Sequence, residues 1–550
     1  MTDAKTHTED WKTLPWKKYR REVYRLQKRI YRASLRGDRK QVHNLQRLLL
    51  RSWSARCLAI RQVSQDNRGK RTAGVDGIAN LTPKQRLAYA QRLGKLKAKA
   101  DPVRRVYIQK PNNPAEKRPL GIPTMFQRGL QALVKLALEP EWEARFEPNS
   151  YGFRPGRCAQ DAIEAIFICI GKHPKYALDA DIEKCFDRID HQALVAKLKT
   201  IHPIERLVRN WLKAGVMDEG KMIFPEAGTP QGGVASPLLA NVALHGLEQH
   251  LAEVCTHTKA PLVVRYADDL VVLHEDLDTL LELTGHAENW LREIGLQFKV
   301  SKTRLCHTLE EREGQVGFDF LGFTVRQYRV GKHRTHTYRG KPGFKTIIKP
   351  SQKAQKRHLA KIREIIRKHR GQAQAALIAE LNPLIRGWAN YYQACVAKRA
   401  FSRADAQIYQ KLAQWAAFRH PDKGAKWRYL RYWKRTNGRI DFSDGAAVLT
   451  KHADTKIHRH IKVRGRKSPF DGDWLYWSAR LGRDPNKPPK IAKLLKRQEG
   501  KCLYCGLRFR AEDVPEIHHR DRNRSNYAYS NLALLHGHCH DQIHSEKVFL

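Results

Sequence analysis

A chain of 550 residues in which 103 Lys and Arg face 55 Asp and Glu carries a formal charge of +48, a self-repulsion that excludes a protein working only with neutral partners. The basic residues are spread along the whole length, which points to a polyanion, RNA or DNA, bound with release of counterions. No run of about 18 or more apolar residues occurs and the opening ten residues lack a signal-like apolar core, so a soluble intracellular protein without a membrane partner is expected.

At about 100–200 residues per domain, the length predicts three to five units. From Trp16 to Ser52 the pattern is helical and strongly basic: Val23, Leu26 and Ile30 share one face, with Lys17, Lys18, Arg21, Arg25 and Lys28 around it. Such a helix suits an arm that grips RNA. From about Asn67 to Thr324, short apolar runs punctuated by Gly and Pro alternate with helical stretches, which predicts an α+β catalytic body. Helical spacing returns at Ile362, Ile365, Ile366 and His369, then at Leu377, Leu381, Leu384 and Trp388. Residues 398–478 mix Arg and Lys with Trp and Tyr, notably at 426–435, a composition suited to base stacking and phosphate neutralisation. The Gly482–Lys490 stretch reads as a linker.

Within the body, Tyr266-Ala267-Asp268-Asp269 lies between Leu262-Val263-Val264 and Leu270-Val271-Val272-Leu273, predicting a β-hairpin with two carboxylates at its turn. Adjacent carboxylates between apolar strands are costly unless cations neutralise them, so a divalent-metal site is expected. Asp181 ends a second predicted strand, and carboxylates from two strands suit a two-metal phosphoryl transfer.

Seven blocks in order resemble the reverse transcriptases encoded by group II introns: Arg118–Thr124, Tyr151–Arg157, the Asp181 segment, Thr229–Asn241, Tyr266–Asp269, Gly295–Thr303 and Phe318–Gly322. The resemblance implies a right-hand polymerase with α+β fingers and palm. Asp181 and Asp268 would ligate Mg²⁺ and Asp269 would support them. Phe186 would lie under the incoming sugar, Arg118 and Lys110 would clamp the triphosphate, Gln231 would contact the template–nucleotide pair, and Lys302 would protonate pyrophosphate. Leu384–Tyr392 is similar to the family's all-α thumb, or maturase, signature and implies binding of intron RNA.

At the C-terminus, Cys502 and Cys505, then after 30 intervening residues His536 and Cys539, have the paired spacing of a structural Cys₃His zinc site, with His538 as the alternative fourth ligand. The other cysteines, Cys57, Cys158, Cys169, Cys185, Cys255, Cys306 and Cys395, are scattered and read as reduced thiols. Interleaved with the zinc ligands are Glu516-Ile517-His518-His519, Asn531 and His540-Asp541-Gln542-Ile543-His544. A four-residue spacing sets His540 and His544 on one helical face. These residues resemble an HNH endonuclease of ββα-metal fold. In that family His518, His540 and His544 would hold a divalent ion, Mg²⁺ or Mn²⁺, His519 would act as general base, and Asn531 would orient it.

Five units are therefore expected: a basic helical extension (1–60), fingers and palm (61–330), thumb (331–420), a basic DNA-binding region (421–485) and the zinc-containing nuclease (486–550). The resemblance implies a protein that binds group II intron RNA, target DNA and deoxynucleoside triphosphates, aids splicing, and copies the intron at a nicked target in the cytoplasm of a bacterium, or in an organelle. The alternative is an RNA-binding splicing cofactor whose polymerase fold is only a scaffold.

Overall fold

Large apolar side chains recur along one stripe of the first helix, and that stripe decides where the helix packs. In the computed structural model, which describes residues 10–96, 99–110, 113–229, 231–255, 259–331, 343–436, 438–482, 484, 487–510 and 513–546, α1 (Trp16–Leu35) buries Trp16, Val23 and Ile30. Lys17, Lys18, Arg21 and Arg25 stay exposed, while Leu26 and Lys28 are half-buried. Asp38 and Ser52 cap α2 (Arg39–Arg51) and α3 (Trp53–Arg61), and a Thr82–Gln85 capping box opens α4 (Pro83–Arg92). The first three pack on α5 (Met125–Arg145), which is buried on nearly every side. The expected unit boundary at residue 60 thus falls inside α3, because that helix and α4 share the core of α1 and α5.

Between these helices, β1 (Val103–Lys110) and β2 (Asn113–Ile122) form an antiparallel pair. There follow α6 (Ala159–Ile170), β3 (Tyr176–Asp181), α7 (Cys185–Arg188), α8 (His191–Leu198), α9 (His202–Leu212), β4 (Val216–Asp218) and β5 (Lys221–Ile223). Next come α10 (Ser236–Leu244), α11 (Leu247–Val254), β6 (Leu262–Tyr266), β7 (Asp269–His274), α12 (Leu277–Glu293) and β8 (Arg304–His307). The strands make two sheets, ordered β2-β1-β4-β5 and β6-β7-β3-β8. The second is covered on both faces: Leu270 and Val272 of β7 join the helical core, while Val271 and Leu273 join a second core on the other side. Burial of both faces explains the unbroken apolar run that strand alternation alone would not require.

That second core is shared with β9 (Phe318–Phe320), β10 (Phe323–Arg329) and β11 (Phe344–Pro350), a sheet ordered β11-β10-β9. A third core gathers α13 (Gln352–Lys368), α14 (Gln374–Tyr392) and α15 (Lys398–Arg419). It also takes in Tyr432 of α16 (Ala425–Tyr432), Trp433 of β12 (Trp433–Thr436) and Phe442 of β13 (Arg439–Phe442). The expected all-α unit ending at residue 420 therefore continues through a β-hairpin, whose apolar face covers the helices. Stacking on bases is correspondingly limited in the 426–435 segment: Tyr432 and Trp433 are buried, Tyr429 is half-buried, and Trp427 is exposed.

The Gly482–Lys490 stretch joins two helices that pack on each other, α17 (Trp474–Leu481) and α18 (Pro489–Arg497). Trp477 of α17 sits in the second core and Leu481 in the C-terminal one, so α17 ties the last module to the body rather than leaving it on a free tether. The module ends in β14 (Pro515–His519), β15 (Leu532–His536) and α19 (Gly537–Glu546), with β15 buried throughout. No helix among the described residues is long and apolar enough to cross a membrane.

Candidate active sites

Antiparallel pairing of β3 with β7 sets Asp181 opposite Asp269, and Asp268, at the turn between β6 and β7, accepts at its carbonyl from Ile182 N at 3.2 Å. Ala267 closes that turn at φ 60°, a left-handed conformation costing about 1–3 kcal/mol in a non-glycine residue. Surrounding packing holds it there. A Cβ added to Gly152 would lie 2.3 Å from Ala267 N, so the turn rests directly on the Gly152 backbone. Behind it, the buried Arg265 donates to Asn241 Oδ1 at 2.9 Å and to Ser150 Oγ at 2.8 Å, and Asn241 Nδ2 donates to Gly152 O at 2.8 Å. Desolvation depresses the Arg265 guanidinium. These contacts tie the Tyr151–Arg157 and Thr229–Asn241 blocks to the hairpin.

The three aspartates lie near enough to act on one another's charge, as carboxylates that share divalent cations do, although their oxygens do not all come within 4.8 Å of one another. Desolvation, and then the charge of Asp181, raise the Asp268 carboxyl above the usual carboxylate range. Asp269, whose outer atoms reach solvent, is pushed up to about 7 by desolvation in the cleft and by Asp268 and Asp181. Carboxylates that resist ionising together form an oxygen donor set that hard dications stabilise. The Lys302 ammonium pairs with the Asp181 carboxylate, within the same cluster.

Of the expected nucleotide-binding residues, Lys302 and Arg118 act on this cluster by their charge. Arg118 is exposed on β2, near enough for its charge to lower the Asp268 carboxyl. Gln231 O accepts from Gly121 N at 2.6 Å. Gly232 follows at φ +112°, where a Cβ would meet Gly121 O at 2.7 Å, so only glycine lets that segment reach β2. Phe186, on α7, is half-buried. Its ring meets Phe153 edge-on at 6.2 Å. Phe153, 52% exposed at φ 58°, was absent from the residues expected at the site. An exposed aromatic set between Gly152 and Arg154 was the available signal. Lys110 ends β1, and its side chain lies outside the described residues.

In the C-terminal module, Cys502, Cys505, His536 and Cys539 are all buried with their donor atoms within 4.8 Å of one another. Three sulfurs and one imidazole at this spacing suit tetrahedral Zn²⁺. His536 Nδ1 lies 3.4 Å from Cys505 Sγ. His538, the alternative ligand, is instead stacked on His536 at 5.1 Å and buried outside the ligand group, and burial pushes its imidazole well below the usual range, to about 2.

The second histidine set also converges: His518 on β14 and His540 and His544 on α19 bring their donor atoms within 4.8 Å of one another. Burial, then His540 and His544, lower the His518 imidazole to about 4, which favours the neutral form that ligates metals. Glu516, part of the expected constellation but without an expected role, holds His540 Nδ1 at 2.9 Å and turns Nε2 toward His544 Nε2, 3.2 Å away. His519 Nε2 is buried with no hydrogen-bond partner among the described residues. Asn531 reaches His519 only through the chain. Its Nδ2 donates to Asp521 Oδ1 at 2.8 Å and to Asn526 O at 2.9 Å, fixing the loop that follows His519.

A third group, Cys158, Asp161 and His460, lies together with donor atoms within 4.8 Å. Asp161 there accepts from Arg480 and from Val463 N at 2.9 Å, so its oxygens are committed to fastening the 456–480 segment to α6.

Four family models match in chain order: the N-terminal domain of reverse transcriptase over residues 11–93, reverse transcriptase (RNA-dependent DNA polymerase) over 108–325, the group II intron maturase-specific domain over 355–433, and HNH endonuclease over 502–546. Among curated proteins, the group II intron-encoded protein LtrA of Lactococcus lactis subsp. cremoris is 40% identical over 157 residues, covering 28% of this chain and 26% of that protein. Protein YkfC of Escherichia coli (strain K12) is 29% identical over 317 residues, covering 50% and 81%. Maturase-like protein 1 of Euglena gracilis is 27% identical over 386 residues, covering 69% and 76%. The stretch shared with LtrA spans about a quarter of that protein.

Proposed function

Because this chain belongs to the group II intron-encoded proteins that join a reverse transcriptase and a maturase domain to an HNH endonuclease, we propose that it copies intron RNA into DNA at a target strand that its own C-terminal module nicks. The observation that carries the polymerase reading is the convergence of Asp181 and Asp269 across paired strands with Asp268 at the adjoining turn. A pair of Mg²⁺ ions, when bound, would activate the attacking hydroxyl and stabilise the leaving oxygen. Arg118, with Lys110, draws the triphosphate toward this cluster. Phe186 and Phe153 form an aromatic floor on which a deoxyribose packs and a 2′-hydroxyl meets a ring. Gln231 reads the shape of the nascent pair from the glycine-hinged segment.

In the nuclease, His518, His540 and His544 would hold the divalent ion and His519 would take a proton from water. Glu516 and Asn531 act one step back, through the His540 ring and the loop after His519. Zinc in the Cys₃His set would brace β15 and α19. The basic N-terminal helices and the 355–433 unit would bind intron RNA and aid splicing, and a bacterial cytoplasm is the compartment this reading implies.

Primer extension on an RNA template with Mg²⁺ tests the polymerase: Asp268→Ala abolishes extension. Extension at the parent level removes the assignment and favours the splicing cofactor with a scaffold polymerase. For the nuclease, His519→Ala abolishes nicking while zinc stays near one per chain, and loss of zinc with it would show that the two histidine sets are mixed.

A further inference from the structure

The outer nitrogen of the zinc-set histidine leads out of its own module. Asp513, just before β14 and with its side chain 8% exposed, holds a carboxylate oxygen 3.4 Å from His536 Nε2, at ion-pair distance but without hydrogen-bond geometry, while His536 Nδ1 faces Cys505. The same carboxylate pairs with Arg20 of α1, nearly 500 residues away in sequence. Arg510 clamps the joint. Its backbone N donates to Asp513 Oδ2 at 2.7 Å, its guanidinium donates to Arg20 O at 3.0 Å and lies 4.5 Å over the Tyr24 ring. A second contact between the N-terminal helices and the module is the pair of Arg61, at the end of α3, with Asp541 of α19 at 2.8 Å. Between the two lies a cavity of about 500 Å³ walled by charged groups of both units.

A carboxylate on the outer nitrogen of a metal-bound imidazole fixes its tautomer and strengthens it as a ligand. Binding a dication while releasing three thiol protons leaves the zinc centre one unit more negative. That added charge, beside a largely buried aspartate, is favourable only if a cation stands close. Arg20 is that cation, and it is supplied by the other unit. We propose, building on the zinc reading above, that Arg20 is an outer positioning residue of the zinc centre, so that zinc loading and docking of the C-terminal module onto α1 are one coupled equilibrium. By reciprocity, docking slows zinc loss and zinc strengthens docking to the same degree.

The test uses the full chain. Zinc content is measured first, then zinc release into excess chelator is followed with a chromogenic indicator for the parent, Arg20→Ala, Asp513→Ala and the double variant. Each single variant releases zinc about 10–100-fold faster. The double variant is no faster than Asp513→Ala, since both act through one relay. Arg20→Lys keeps the charge and recovers part of the parent rate. Hydrogen exchange supplies the reciprocal readout: zinc removal from the parent lowers amide protection along Trp16–Leu26 of α1, and in Arg20→Ala it changes nothing there. Protection of the α5 core reports folding, and if Arg20→Ala loses it, Arg20→Lys against Asp513→Ala carries the comparison. A parent-like release rate in folded Arg20→Ala, or α1 protection indifferent to zinc in the parent, overturns the coupling. A parent chain that binds no zinc overturns the zinc reading itself, a distinct outcome.

Discussion

Gly152→Ala is the sharpest probe of how the aspartates are held, because it adds one methyl group to a residue expected to touch neither metal nor nucleotide. The new Cβ would stand 2.3 Å from Ala267 N, 2.8 Å from Tyr266 C and 3.1 Å from Ala267 Cα, all backbone atoms that no rotamer change can clear. Restoring ordinary contact of about 3.4 Å moves the turn by about 1 Å, and displacement on that scale costs about 100-fold in a positioned reaction. The overpacking itself costs about 1–3 kcal/mol, which a body of this size tolerates at 25 °C. Single-turnover primer extension on an RNA template is therefore expected to slow about 100-fold, with the thermal midpoint lowered modestly and DNA nicking and zinc content unchanged. Extension within threefold of the parent would refute the argument that the Gly152 backbone sets the position of Asp268.

Glu516→Ala removes the carboxylate on His540 Nδ1 and is expected to weaken divalent-ion binding in the nuclease about 10–100-fold. Raising the metal concentration then restores nicking, and primer extension is unaffected. His358, buried in the helical unit against His452 Nε2 at 2.8 Å and stacked on Trp388, is lowered to about 3 by burial and by His452. A histidine held neutral binds fewer protons folded than unfolded, so its contribution is complete above about pH 6.5 and is lost as pH falls toward 3, at up to about 1.4 kcal/mol per unit. Thermal unfolding of the helical unit between pH 7 and pH 4 tests this, and His358→Gln is expected to flatten the acid slope. Chelating zinc is expected to expose the β15–α19 core to protease while primer extension persists, since the polymerase core shares no side chain with that cluster.

Local spacing carried much of this protein's chemistry into plain view. Paired cysteines three residues apart, histidines four apart on a helix, and two carboxylates between apolar strands each state a ligand geometry within a few residues, because helices and strands repeat at known periods. Helical stripes in α1 and α13 were legible for the same reason. Unit boundaries were less so: composition shifts near residues 60 and 420, yet packing continues through α3 in one case and through the β12–β13 hairpin in the other, since a core ends where apolar surface is covered and not where charge density changes. Contacts between distant segments depended wholly on the path of the chain. The edge of Phe153 against Phe186, the seat of the Ala267 turn on Gly152, the hold of Glu516 on His540 and the reach of Arg20 to Asp513 all join residues whose meeting no local period encodes. Tertiary structure alone decided them, because side chains far apart in sequence become neighbours only when burial of the intervening apolar faces has set the elements against one another.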